Sequence, residues 1–217
     1  MAKKTMTPST TGPQIDKAVA NYRAMLEKFA PQFPADAVQK VLGQSELADE
    51  QFKVFRRRIE ALLVLAPRGS EEIILAERHD PDVFFQTRSG LWVGNDFHSR
   101  IVANARPSDA GTTLKVNSAE FTRDLTDKEI EEALPKEHLF DETMVCAVIA
   151  DLIAKQPNGE NGTLINNGRA NLFYTESYVV LVRWSADYRR WYVSAWWRGA
   201  YRWYAGRLAF SPATETR

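Results

Sequence analysis

The chain has 217 residues with 28 basic and 28 acidic side chains, and 44% of its residues are hydrophobic. This composition is typical of a soluble globular protein of one or two domains, and zero net charge excludes a generally basic protein that binds nucleic acid over its whole surface. A single cysteine, Cys146, excludes a disulfide framework and favours the reducing cytoplasm as the compartment. No apolar run has the length of a signal sequence or a membrane span, so we expect neither secretion nor membrane binding.

Helical signals dominate the first third of the chain. The polar residues 1–12 predict a disordered N-terminus. Apolar residues at helical spacing predict a first helix near 13–29, then a short helix that ends at Gly43 and a third that begins at Ser45. Together these signals predict a helical segment over residues 13–65.

The pattern changes to that of short strands after this segment. Proline and glycine within 66–70 predict a break in regular structure. Apolar runs bounded by turn residues then predict strands at 73–76, 83–86 and 91–93, and a further strand is predicted near 113–121.

Two helices and a series of strands complete the chain. Thr126 and Glu129 form a capping-box pattern that predicts a helix over 127–134, and Asp141 precedes an apolar helix near 141–155. Turn residues separate five further predicted strands, at 163–166, 170–175, 178–184, 191–198 and 201–210.

These elements predict an α+β fold. A helical N-terminal segment precedes a mixed unit over residues 72–217, in which two helices pack on a largely antiparallel β-meander. The two parts form either one continuous domain or two docked domains.

Charged side chains are segregated along the chain although their sum is zero. Between Glu120 and Glu142 there are nine acids and three bases, whereas from Ile165 to the C-terminus there are eight arginines, no lysine and three acids. The same C-terminal stretch holds five of the six tryptophans and six of the seven tyrosines. Any functional surface is therefore expected to be local rather than spread over the whole protein.

Residues suited to catalysis are scattered along the sequence. Cys146 lies in an apolar helix without neighbouring positive charge, which is typical of a core cysteine. The three histidines are isolated from one another, so we expect no metal site. The sequence contains no cofactor-binding motif, so we expect no cofactor. An enzyme that uses His98, Arg88 or Arg100 in a pocket is one alternative hypothesis for the function.

The strongest pattern is a cluster of tryptophan, tyrosine and arginine near the C-terminus. Ten of these residues are our candidates for partner binding: Arg183, Arg189, Arg190, Trp191, Trp196, Trp197, Arg198, Tyr201, Arg202 and Trp203. Because side chains alternate along a strand, residues 191–198 place large side chains on both faces of the sheet, and one helix covers only one face. The other face is buried by the N-terminal helices or by the strands of 72–121, or it binds a protein, or it stacks on unpaired nucleic-acid bases.

The function we expect from this pattern is that of a non-catalytic cytoplasmic protein-interaction module. Such a module acts as an inhibitor or adaptor through its aromatic and arginine-rich sheet, and proteins of this kind are often encoded by mobile genetic elements such as plasmids and phages. The alternative is a single-stranded nucleic-acid binding protein that uses the same surface. An acidic middle and a basic end also suit pairing of the chain with itself as a homodimer.

Overall fold

The computed structural model describes residues 12–60, 62–199 and 201–213 of the chain. Contacts divide the chain into two compact units, Met1–Arg57 and Arg58–Arg217, which we call the helical unit and the sheet unit. None of the described helices is both long enough and apolar enough to cross a membrane.

Between residues 12 and 60 the structure has three helices, as the apolar spacing predicted. They are α1 at Gly12–Phe29, a 3-10 turn at Ala30–Gln32, α2 at Ala35–Leu42 and α3 at Glu46–Glu60. Helix α2 ends where the backbone N–H of Gly43 donates to the carbonyl of Gln39, in agreement with the predicted glycine stop. Of the terminus predicted to be disordered, residues 1–11 lie outside the described residues, and Gly12 begins α1.

The sheet unit contains four helices and nine strands among its described residues. In chain order these are β1 Leu65–Ile74, α4 Pro81–Phe84, β2 Leu91–Val93, α5 Asn95–Arg100, β3 Thr113–Phe121, β4 Leu125–Thr126, α6 Asp127–Ala133, α7 Glu142–Lys155, β5 Asn171–Tyr174, β6 Tyr178–Ser185, β7 Arg190–Trp197, β8 Arg202–Trp203 and β9 Leu208–Pro212. A 3-10 turn at Val102–Asn104 follows α5.

Seven of the strands form one mixed sheet in the order β1-β3-β9-β5-β6-β7-β2. Neighbouring strands are antiparallel except for the pairs β9–β5 and β7–β2, which are parallel. The short strands β4 and β8 pair separately as a two-stranded ribbon. The predicted α+β class is therefore confirmed.

Two sequence-based assignments before residue 90 are wrong. Residues 66–70 do not interrupt regular structure, because they lie within β1, with an irregularity in register between Pro67 and Gly69. An edge strand such as β1 tolerates proline, which lacks a ladder N–H. The strand predicted at 83–86 overlaps helix α4 instead, since Asp80 caps it by accepting from the Asp82 N–H.

The C-terminal strands form only part of the predicted meander. Strands β5, β6 and β7 are the predicted antiparallel series, but residues 163–166 form no strand. Their hydrogen bonds go to a side chain instead, because the amide of Asn171 accepts from the Ile165 N–H at 2.9 Å and donates to its carbonyl at 3.1 Å. The strand predicted at 201–210 divides into β8 and β9 around Gly206, whose φ of 76° suits glycine.

Helix α7 covers one face of the sheet, which we call the first face. Its buried stripe includes Val145, Val148 and Ile149, and it packs in one core with Trp191 and Val193 of β7. Cys146 is fully buried in this stripe, and burial raises the pKa of its thiol well above the ordinary range. The interpretation of Cys146 as a core residue is confirmed.

The opposite, second face of the sheet is covered only in part. Helix α6 and the β4–β8 ribbon close over a smaller core that contains Ile130, Leu125, Leu172 and Tyr174. The strands predicted within 72–121 do not help to cover it, because β2 and β3 extend the same sheet sideways. The second face therefore stays open toward β6, β7 and β2.

The first turn of α6 depends on the capping box predicted from the sequence. The Glu129 carboxylate accepts from the Thr126 backbone N–H at 2.9 Å and from the Arg123 guanidinium at 2.9 Å. The hydrogen bond from Thr126, followed by that from Arg123, lowers the pKa of Glu129 from its ordinary 4.5 to about 2. The ionised form of this side chain is therefore the one that the folded state stabilises.

We predict an acid-sensitive contribution of Glu129 to the free energy of unfolding. Because its pKa is depressed in the folded state, the contribution is complete above pH 4.5 and is lost as the pH falls toward about 2. Urea denaturation of the wild type and of Glu129→Gln should differ most near neutral pH and converge near pH 2. A difference in unfolding free energy that does not change with pH would contradict this role.

Candidate functional site

The open part of the second face forms a concave groove of about 580 Å³, which we call the aromatic groove. Six aromatic rings and three arginines line it: Trp92, Tyr192, Trp196, Tyr201, Trp203, Tyr204, Arg183, Arg202 and Arg207. The remaining lining residues are mostly small or apolar, apart from the carboxylate of Asp96. A concavity of this size, lined mainly by aromatic rings and by four charged side chains, has the character of a ligand-binding site.

Alternation along β7 supplies the floor of the aromatic groove. Tyr192, Ser194 and Trp196 line the groove, whereas Trp191 and Val193 lie between them in sequence and are buried in the first-face core. Strand pairing then aligns neighbours from three strands, since Tyr192 is in register with Arg183 on β6 and with Trp92 on β2. One row across the sheet thus presents Trp92, Tyr192 and Arg183 side by side.

These three side chains form one aromatic end of the groove. The ring centroids of Trp92 and Tyr192 are 5.1 Å apart. The guanidinium carbon of Arg183 lies 5.6 Å from the Tyr192 centroid, which is cation–π range. The row therefore offers two adjacent aromatic rings, with planes inclined by 40°, and a positive charge beside them.

A second group of rings forms the opposite wall. Trp196 stacks on Trp203 with centroids 5.7 Å apart and planes inclined by 23°. Tyr201 lies 4.7 Å from the Trp196 centroid and 5.7 Å from that of Trp203. Trp203 is buried beneath this group, while Trp196 is 36% exposed and its ring remains accessible from the groove.

The carboxylate of Asp127 holds this wall in place. It is buried and accepts hydrogen bonds from the Tyr174 hydroxyl at 2.9 Å and from the Trp203 indole N–H at 2.6 Å. It also accepts from the backbone N–H groups of Gly199 at 2.9 Å and Tyr201 at 3.2 Å. Burial, followed by the negative charge of Asp127, raises the pKa of Tyr174 far above the ordinary range, so that its hydroxyl stays a donor.

The arginines of the groove carry positive charge that no ion pair with a described residue neutralises. Among the described residues, no carboxylate lies within salt-bridge distance of Arg183, Arg202 or Arg207, although other arginines form such pairs. Arg207 instead lies 5.1 Å from the Tyr204 centroid, and its buried Nε has no hydrogen-bond partner. Burial, followed by the charge of Arg169, lowers the pKa of Arg207.

Asp96 does not offset these charges by a direct bond. One of its carboxylate oxygens accepts from the Ala195 backbone N–H at 3.1 Å, and the other accepts from the Phe97 N–H at 2.9 Å. The carboxylate is therefore used to join α5 to strand β7. The groove as a whole presents more positive than negative charge.

The structure brings five of the ten candidate binding residues together in the aromatic groove: Arg183, Trp196, Tyr201, Arg202 and Trp203. Trp191 is fully buried in the first-face core, where its indole N–H donates to the Gln156 carbonyl at 2.7 Å. Arg198 forms an ion pair with Glu131 at 2.6 Å. Both are therefore held by structural contacts away from the groove.

The other three candidates also lie outside the groove. Trp197 points to the first-face side of β7 and packs on Tyr178, with 56% of its surface exposed. Arg189 occupies the turn before β7 with a φ of 47°. Arg190 donates to the Tyr192 hydroxyl at 2.8 Å and thereby supports a groove residue from outside.

Sequence reasoning missed several lining residues. Trp92, Tyr192, Tyr204 and Arg207 line the groove but were not candidates. Alternation along the strand predicts Tyr192 on the same face as Trp196, although Tyr192 is not among the ten candidates. Trp92 lies about a hundred residues away in sequence and meets Tyr192 only through the parallel pairing of β2 with β7.

Residues named for the enzyme hypothesis do not line the aromatic groove. The imidazole of His98 hydrogen-bonds the Phe85 carbonyl at 3.0 Å, and Arg88 donates to the carbonyls of Phe84 and Gln86. Arg100 donates to the Ala195 carbonyl at 2.7 Å. Within residues 12–60, 62–199 and 201–213, no group of three or more acidic, histidine or cysteine side chains is placed to hold a metal ion.

Comparisons with known proteins add no relative to this geometry. No protein-family model, curated protein or solved structure matches the chain. The functional conclusion therefore depends on the shape and chemistry of the aromatic groove.

We predict that Asp127→Asn destabilises the sheet unit and loosens the groove wall. The asparagine amide keeps one acceptor oxygen but places its NH₂ group against groups that are themselves donors. The buried N–H groups on that side lose their acceptor, which lowers the free energy of unfolding by about 3 kcal/mol. Urea denaturation measures the loss, and Glu132→Gln on the exposed side of α6 is a matched control that should change stability little. Equal stability of the two variants would contradict the role assigned to Asp127.

Proposed function

We propose that this chain is a non-catalytic binding protein, an inhibitor or adaptor, that holds a segment of a protein partner in the aromatic groove. One observation carries the proposal: six aromatic rings and three arginines without ion-pair partners among the described residues line a single concavity of about 580 Å³. Tryptophan, tyrosine and arginine are the residue types most enriched at binding hot spots. Such a concavity has room for a few side chains of a partner rather than for a whole domain.

The charge of the groove defines the chemistry of the partner segment. A guanidinium group binds a carboxylate through two parallel hydrogen bonds, and among the described residues Arg183 and Arg202 have no carboxylate partner of their own. The partly exposed ring of Trp196 offers apolar surface in the same groove. The partner segment is therefore expected to combine Asp or Glu with aromatic or aliphatic side chains.

The charge of the whole sheet unit favours a protein over a nucleic acid. Residues 58–217 contain 19 basic and 22 acidic side chains, so the unit that carries the groove has a net negative charge. Affinity for nucleic acid depends largely on cations that neutralise phosphates, and net negative charge opposes it. A single-stranded nucleic acid remains the competing ligand, because bases stack on exposed rings beside arginines in the same way.

We predict that peptides selected on the full chain from a displayed random library will carry Asp or Glu next to apolar residues. Trp196→Ala should weaken their binding by about 30-fold or more, as expected when a hot-spot residue is removed. Trp197→Ala is a matched control on the opposite face of the same strand and should leave the dissociation constant unchanged. Fluorescence anisotropy with labelled peptides measures both effects.

Two results would contradict the proposal. Equal loss of peptide binding in both variants, or selection of peptides without acidic residues, would show that the groove does not select carboxylates. Tight binding of labelled single-stranded oligonucleotides that weakens steeply with salt and requires Trp196 would assign the groove to nucleic acid instead.

A further inference from the structure

The helical unit leaves its apolar side chains uncovered. None of the described side chains between residues 12 and 57 is buried, and only a few, among them Tyr22, Leu26 and Leu47, are half-buried. Units of fewer than about 70 residues rarely gain more than a few kcal/mol from their own core. Three helices whose described side chains up to residue 57 are all at least partly exposed therefore need a further apolar surface to pack against.

Helix α1 carries a continuous apolar stripe. Its members are Ile15, Val19, Tyr22, Leu26 and Phe29, separated alternately by four and three residues. This spacing places all five along one side of the helix, as in a coiled-coil seam. Ile15 and Val19 are 52% and 62% exposed at the N-terminal end of the stripe.

The C-terminal end of the same stripe lines an apolar groove. This helical groove has a volume of about 390 Å³ and lies between the three helices. Tyr22, Leu26 and Phe29 form one side of it, and residues such as Val38 and Leu47 of α2 and α3 form the other. Helix α1 thus presents exposed apolar side chains at one end and, at the other end, one side of a groove that has room for such side chains.

We propose that the helical groove is occupied by α1 of a second copy of this chain, in an antiparallel homodimer. If the two α1 helices cross at a twofold axis between residues 20 and 21, Ile15 of each copy lies beside Leu26 of the other. The same operation places Val19 beside Tyr22. The contact is self-complementary, because each copy inserts its exposed end into the groove of the other.

Charges beside the stripe support this orientation. Asp16 and Arg23 lie on the same flank of the apolar stripe, one heptad apart. Antiparallel helices bring equivalent flanks together, so Asp16 of each copy approaches Arg23 of the other. In a parallel pair Arg23 would face Ala18 instead. The Nε of Arg23 binds Glu27 at 2.8 Å, which leaves its terminal nitrogens available for Asp16.

Sedimentation or light scattering of the full chain tests the dimer. The expected mass is twice the 24.6 kDa of one chain, and Val19→Asp should reduce it to that of a monomer. Ala24→Asp makes the same change in charge on the opposite, exposed side of α1 and should leave the dimer intact. A monomeric wild-type chain at high micromolar concentration, or a dimer that survives Val19→Asp, would overturn the proposal.

Cysteine cross-linking tests the orientation. Under oxidation the double variant Ile15→Cys, Leu26→Cys should form covalent dimers, whereas Ile15→Cys alone should not, because antiparallel helices hold the two Ile15 positions about 16 Å apart. Cys146 is buried and gives no background reaction. Cross-linking through Ile15→Cys alone would indicate parallel helices and overturn the antiparallel arrangement.

This dimer does not depend on the proposed function of the aromatic groove. Val19→Asp lies in the helical unit. It should leave the dissociation constant of peptides for the aromatic groove unchanged when one peptide binds per chain. Retained peptide binding also shows that the variant has a folded sheet unit. Loss of peptide binding together with the dimer, in a variant that stays folded, would show that the two properties are coupled and would overturn this assignment.

Discussion

The alternation of side chains along β7 is the constraint from which the rest of the sheet unit follows. Four of the eight residues of this strand are aromatic, at positions 191, 192, 196 and 197, so both faces of the sheet receive aromatic rings. Helix α7 covers the first face and buries Trp191. Since a helix packs on one face only, α7 leaves the rings of Tyr192 and Trp196 on the second face uncovered. Helix α6 and the β4–β8 ribbon bury the neighbouring side chains of the second face, whereas Tyr192 and Trp196 line the open groove.

Asp127 marks the boundary between the covered and the open part of the second face. Its carboxylate is the common acceptor for side chains and backbone groups from β5, β8 and the segment before β8. A buried carboxylate with this many donors is well satisfied and fixes the groups around it. Because Trp203 is one of those donors, the stacked wall with Trp196 has a defined position before any ligand binds. Preorganisation of this kind reduces the entropy that binding costs.

Local signals predicted much of the fold. The capping box of α6 and the Asp141 cap of α7 were found because each is set by residues within one turn of the helix. Pro67 and Gly69 misled the interpretation, since local propensity does not reveal that a segment will be an edge strand. The insertion of β9 between β3 and β5 was not predictable either, because it depends on pairing between segments about ninety residues apart.

The composition of the sequence predicted which stretch of the chain contributes to the candidate site, but not which residues of that stretch line it. Clustering of tryptophan and arginine indicated the stretch of chain that supplies most of the groove, and half of the candidate residues line it. The cluster alone could not separate Trp196 from Trp191, or Arg183 from Arg198, because burial and ion pairing depend on α7 and on Glu131. An open groove requires that its rings be accessible to solvent in the free chain. Hydroxyl-radical footprinting with mass spectrometry should oxidise Trp196 and Tyr204 at rates near that of Trp197, while Trp184 and Trp191 are protected. Protection of Trp196 and Tyr204 equal to that of Trp191 would contradict an open groove.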